Sequence, residues 1–193
     1  MASKTNVLSA VLAGDPGKLS EALAGRGGPA AAQQRGNFDR PLLARAAGSL
    51  GARAPECLRI LIQAGAIVDA RDESGATALL WAARCGAVEN VRELLSAGAD
   101  PLVVDNDGMT ALHAAALAKS AKIIEALLAA GCAVSSTIPG GESFLEMAGR
   151  MSQSKDAASK DFGELVLALS EKWAMAQCAE VLGSAPRLGA ARL

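Results

Sequence analysis

Tyrosine is absent, three phenylalanines and two tryptophans supply nearly all the aromatic surface, there is one histidine, and opposite charges almost cancel to a net −1 over 193 residues. Poverty in aromatics argues against a sheet-based core, and the apolar half of the chain is instead rich in alanine and leucine, which suits closely packed helices. Near-neutrality removes any general field that would gather nucleic acid or an anionic membrane surface, so neither is expected as a partner and any charge preference must be local. Long hydrophobic runs are missing as well. None approaches the roughly 20 residues a membrane helix needs, and Val7 to Ala13 is cut at once by Gly14-Asp15-Pro16-Gly17, too short for a secretory leader. Cys57, Cys85, Cys132 and Cys178 are scattered without a CxxC pair, so they read as reduced thiols in a cytoplasmic setting rather than a zinc cluster, and no metal or cofactor is expected.

The length fits one domain with a continuous core. Self-comparison shows a period: Gly75-Ala76-Thr77-Ala78-Leu79 returns as Gly108-Met109-Thr110-Ala111-Leu112, and Ala64-Gly65-Ala66 returns as Ala97-Gly98-Ala99 and then Ala130-Gly131-Cys132. The shift is 33 residues, the signature of one supersecondary unit stacked on copies of itself. Asp72 with Gly75, and Asp105 with Gly108, suit tight turns. Thr77 and Thr110 stand where a side-chain oxygen caps a helix. Leu79, Ala82 and Ala83 form one apolar face, and Val88, Val91, Leu94 and Leu95 a second after Gly86, so each unit reads as a pair of short helices ended by a glycine such as Gly98.

These residues resemble the ankyrin-repeat family, whose pattern of a turn, Thr-Pro-Leu-His, paired alanines, a Gly, a Leu-Leu pair and Gly-Ala matches residues 72–104 and 105–136. The resemblance implies an all-α solenoid of stacked helix-turn-helix units with short β-turn fingers. A single domain over 1–183 is expected, with a degenerate N-terminal cap at 5–39, units at 40–71, 72–104 and 105–136, a C-terminal cap at 137–182, and a flexible tail at 184–193. The copy at 40–71 carries Pro41-Leu42-Leu43 and a short insertion near Gly48 to Ala54. Pro41 is read as the one surviving proline at the first helical position. Lys119 replaces the glycine found at Gly86, which implies either a changed loop or backbone strain of about 1 kcal/mol.

Signs of catalysis are weak. Gly14-Asp15-Pro16-Gly17-Lys18-Leu19-Ser20 lacks the opening glycine and the hydroxyl after lysine of a phosphate loop, and Gly25-Arg26-Gly27-Gly28-Pro29 has no preceding strand. By the resemblance, His113 ties neighbouring repeats together by hydrogen bonding rather than moving protons. Glu142 with Glu146 and Asp161 with Glu164 read as solvated helix-face acids. No enzyme activity is expected.

The resemblance also places binding on the turn tips and the exposed face of each first helix. The groove column runs Trp81, Ala114, Met147, and Trp81 is the expected exposed anchor, since an alanine-packed hairpin has no room for an indole; the alternative is that it folds against a neighbouring repeat and fills a gap. Leu117, Met147, Met151 and Met109 would form an adaptable apolar strip, with Arg84 and Cys85 beside Trp81; the alternative for Met147 and Met151 is that they only cover the end of the core. The acidic tips, through Glu73, Asp105 and Asp107, would attract a basic or helical segment, although Asp72 and Asp105 are the acids best placed to serve the turns themselves. The function expected is a non-catalytic protein-binding adaptor or inhibitor, monomeric on its own. The alternatives are an obligate subunit that uses the last helix through Phe162, Leu165, Leu169, Trp173 and Met175, and an immunity-type inhibitor of a toxin enzyme.

Overall fold

The structure, a computed structural model, describes residues 7–24, 28–36, 39–132 and 142–184, with side chains of the last helix described to Met175. Phe38, Gly25 to Gly27, Gly141, the Cys178 side chain and all but the first residue of the expected tail lie outside these residues. Among the described residues there are eleven helices and no strand. They are α1 (Val7–Ala13), α2 (Pro16–Ala24), α3 (Gly28–Ala32), α4 (Leu42–Ala47), α5 (Ala54–Gln63), α6 (Ala78–Arg84), α7 (Val88–Ser96), α8 (Ala111–Leu117), α9 (Ala121–Ala129), α10 (Phe144–Ser152) and α11 (Ala157–Ser184).

The helices form two rows. First helices α1, α4, α6, α8 and α10 stack in one row, second helices α2, α5, α7 and α9 in the other, and α11 closes the stack against α9 and α10. Ala46, Ala47, Ala82, Ala83, Ala115 and Ala116 are all buried, and their small side chains let the rows approach. Leu58, Leu61, Val91, Leu94, Ile123, Ile124 and Leu127 of the second row fill the layer behind them. Each buried leucine or isoleucine contributes roughly 1.5–3 kcal/mol relative to exposure.

Caps set the helix starts. The Thr77 hydroxyl accepts from the Leu80 N–H and the Thr110 hydroxyl from the His113 N–H, both at 3.4 Å. At α10 the cap is reciprocal: Ser143 Oγ accepts from the Glu146 N–H while the Glu146 carboxylate accepts from the Ser143 N–H at 2.7 Å. Pro41 lies one residue earlier than the sequence pattern placed it, as the N-cap of α4 with ψ 144°. It occupies the register of Thr77, which puts Leu42 at the first helical position.

The fingers between units are hairpin turns braced by their neighbours. Asp72 Oδ1 accepts from the N–H groups of Ser74 and Ala76, and Asp105 Oδ1 from those of Asp107 and Met109. Gly75, at φ +76°, leaves no room for a Cβ, which would lie 2.5 Å from Asn106 Oδ1. Through that approach the Asn106 N–H donates to the Ser74 carbonyl at 2.9 Å and Asn106 Nδ2 to the Glu73 carbonyl at 2.9 Å. Arg71 donates to the Val104 carbonyl at 2.8 Å, Arg35 to the Arg71 carbonyl at 3.0 Å and Gln33 to the Gly65 carbonyl at 3.3 Å. Each tie spans close to one repeat.

Two departures from the repeat keep their consequences local. Lys119 holds the glycine-like backbone at φ +50°, so the loop retains its shape and carries the strain, while its ammonium donates to Ser159 Oγ of α11 at 2.8 Å. The extra residues between α4 and α5 are held from the next unit: Asn90 Nδ2 donates to the carbonyls of Ala47 and Ser49 at 2.9 and 2.8 Å. At the far end Phe162 and Val166 bury themselves on the stack. Gly163 there meets α10 so closely that a Cβ would sit 2.8 Å from the Ala148 carbonyl oxygen.

Candidate functional site

Trp81 projects from α6 toward the fingers, on the row of first helices, and is half-buried rather than free. Its indole N–H donates to Asp72 Oδ2 at 2.8 Å. The Arg40 guanidinium lies over the ring at 3.6 Å from its centroid, and that of Arg84 at 5.2 Å. A protruding anchor was the expectation; the indole instead packs against the fingers, because Arg40 of the first finger and Arg84 of its own helix cover it. The ring is partly exposed, and the bond to Asp72 fixes its rotamer in advance.

The acids are consumed by the same cluster. Asp72 is buried enough that desolvation pushes its pKa up, yet hydrogen bonds from Ser74, Trp81 and Ala76 outweigh that and hold it below the ordinary value of 3.8. Asp105 was expected at the binding surface. Its side chain is buried and paired with Arg84 at 2.9 Å, leaving it a turn-forming residue, the structural role its spacing to Gly108 also implies. Glu73 and Asp107 do stand exposed at the finger tips.

The expected apolar strip is interrupted. Met147 is only 5% exposed, packed with Phe144 and Ala148 in the core cluster, and cannot meet a partner. Ala114 in the same column is buried too. Met109 and Met151 are half-buried against the core, Met109 with its sulfur 3.8 Å from Arg84 Nη2. Leu117 is open to solvent at 55%. Arg84 and Cys85 are partly exposed beside Trp81, and Cys85 ends α6 as its C-cap.

Sequence reasoning missed Arg40 and Arg45. Arg45 stands just before Ala46-Ala47 as Trp81 stands before Ala82-Ala83, but the insertion after α4 makes that spacing 36 residues, so a strict 33-residue comparison passes it over. Arg45, Trp81, Ser49, Cys85 and the α1 residues Val11 and Leu12 line a pocket of about 250 Å³ with Arg40.

The residues screened for chemistry have structural employment. His113 is fully buried, its Nδ1 2.7 Å from Thr110 Oγ1 and its ring edge-on to Phe144 at 6.1 Å. Nε2 closes no hydrogen bond among the described residues, so the expected hydrogen-bonded tie is not made there; the next unit meets the ring through Phe144 and the nearby Glu142 backbone. Burial lowers its pKa, with the Glu142 backbone and charge opposing. Glu142 pairs with Arg150 at 2.9 Å and Glu146 closes its capping box, which holds both carboxyls below their usual range. Asp15 Oδ1 accepts from the N–H groups of Gly17 and Lys18, so the glycine-rich turn's own amides are occupied. Burial pushes the Cys132 thiol up to about 11. Among the described residues no three His, Cys, Asp or Glu side chains gather as a metal site, and no helix is long and apolar enough to cross a membrane.

Two rows of helical hairpins, turn fingers braced one period apart and a finger-side groove define a solenoid repeat protein. A family model of ankyrin repeats, in three copies, matches residues 9–105 and 43–138. The chain belongs to the ankyrin-repeat family, whose repeats mediate protein–protein interaction. A search of curated proteins finds no match.

Proposed function

We propose that the protein is a non-catalytic binding module that grips one partner protein along the finger-side groove, as adaptor or inhibitor. The observation that supports this best is the fixed Trp81, covered by Arg40 and Arg84, bonded to Asp72 and still partly exposed. An aromatic whose rotamer is already fixed loses little entropy on binding, and such residues are where interface energy concentrates. Exposed Leu117 extends the surface along the row, and Glu73 and Asp107 offer negative charge to a basic residue at its rim. The test is a photoreactive phenylalanine placed at Leu117 or Glu73, compared with one at Arg59 on the opposite row. The reading expects a discrete cross-linked protein from the first two and none from the third. Equal cross-linking from both faces would remove it.

A second reading, assembly through α11, draws on Leu165 and Met175, which are 46% and 76% exposed although Phe162 and Val166 of the same helix are buried. A photoreactive group at Leu165 tests it directly. Cross-linking there alone would make α11 the interface.

A further inference from the structure

Arg45 is the least satisfied arginine lining this pocket among the described residues. Arg35, Arg59, Arg84, Arg92 and Arg150 each close an ion pair at 3.1 Å or less. Arg45 is half-buried, makes no ion pair or side-chain hydrogen bond among the described residues, and its Nε is shut off from solvent without an acceptor. Arg40 beside it is little better served: its Nε is also buried and unpaired, and the nearest carboxylate, Asp72, stands 3.7 Å away with its oxygens already taken by Ser74, Ala76 and Trp81. Among the described residues neither guanidinium therefore has a carboxylate of its own, and a desolvated cation without an anion is unfavourable.

The position of Arg45 is built. Gly36 in the first finger lies so near that a Cβ there would be 3.2 Å from Arg45 Nη2, so the bare backbone makes room for the guanidinium. The pocket, about 250 Å³, is below the roughly 300–1,000 Å³ of sites that enclose a whole small molecule. It suits one side chain. Leu12, 61% exposed, forms an apolar lip to it.

We infer that this pocket receives the carboxylate of an Asp or Glu side chain from a polypeptide segment laid in the groove, with an apolar neighbour of that residue against Leu12. The planar guanidinium of Arg45 takes the carboxylate in a charge-assisted, two-pronged bond. The inference rests on the groove being the protein-binding face, and it reverses the sign of the partner expected from the acidic tips: the groove floor selects an acid.

The test is selection of random twelve-residue peptides displayed on phage against the full chain, read by sequencing. Wild type is expected to enrich Asp or Glu at one fixed position at least fivefold over the starting library, beside an apolar residue. Arg45→Gln is expected to lose that preference while still selecting groove peptides. Arg45→Lys keeps the charge and should retain it in part, and Arg92→Gln on the opposite row should leave it unchanged. Circular dichroism establishes that each variant is folded; if Arg45→Gln is not, the Arg45→Lys comparison decides by whether the enrichment falls. Groove peptides with no acidic position, or with a basic one, would overturn the inference and leave protein binding standing. Free glutamate competing as well as the selected peptide would assign the pocket to a small anion and overturn it too. Absence of any selected peptide, together with absence of cross-linking at Leu117, would remove both.

Discussion

His113 shows how a residue suited to catalysis becomes a stability device. Its ordinary pKa is 6.5 and burial lowers it in the fold, so the unfolded chain takes a proton more readily than the folded one. The stability this site contributes is present above about pH 6.5 and is lost as pH falls through the lower folded value. Thermal melts should therefore show Tm declining from pH 7 to 5.5, and His113→Gln should flatten that slope; an unchanged slope would mean His113 does not titrate against folding. Lys119 is the opposite case, a side chain at φ +50° where glycine is unstrained. Lys119→Gly should stabilise by about 1 kcal/mol in urea denaturation, because the exposed contacts it gives up to Ser159 and Asp156 contribute little. Lys119 was legible from the sequence, since Gly86 stands one period earlier. The turn role of Asp105 was legible from its spacing to Gly108; its pairing with Arg84 and the covering of Trp81 by Arg40 and Arg84 were not, because nothing in the period specifies those arginines.

Paired helices were readable wherever alanine and leucine recur at the 33-residue shift, and α6 to α9 follow that pattern. Reading failed where length changed. The insertion after α4 shifts the first helix by three residues relative to the second, hiding both the N-cap role of Pro41 and the match of Arg45 to Trp81. Met147 differs for another reason: position in the column says only which way a side chain leaves its helix, and Met147 is buried in the core cluster with Phe144 and Ala148, as its alternative role of covering the end of the core implies. Helix α7 carries the compensation for the insertion in Asn90. Asn90→Ala strips the donor from two carbonyls, those of Ala47 and Ser49, and should cost about 1–3 kcal/mol by urea denaturation. A loss below 0.5 kcal/mol would show that water replaces the amide there.

Stacking in a line makes stability a matter of neighbours, since each unit is buttressed only by those adjacent to it. Helices α6 to α9 have partners on both sides, whereas α1 has one. Hydrogen exchange followed by mass spectrometry should accordingly be slowest in 78–129 and faster in α1 and the second half of α11; slowest exchange in α1 would contradict a linear stack. The finger ties of Arg71 to Val104 and Asn106 to Glu73 each reach 33 residues along the chain. Duplication or excision of a whole unit therefore hands every donor an equivalent acceptor, while a slip of one residue inside a finger would leave both donors facing the wrong backbone. The insertion sits at the opposite end of α4 from its finger, so this lineage could grow or shrink by complete units and vary its inter-helix loops with little cost, but not edit its fingers in single steps.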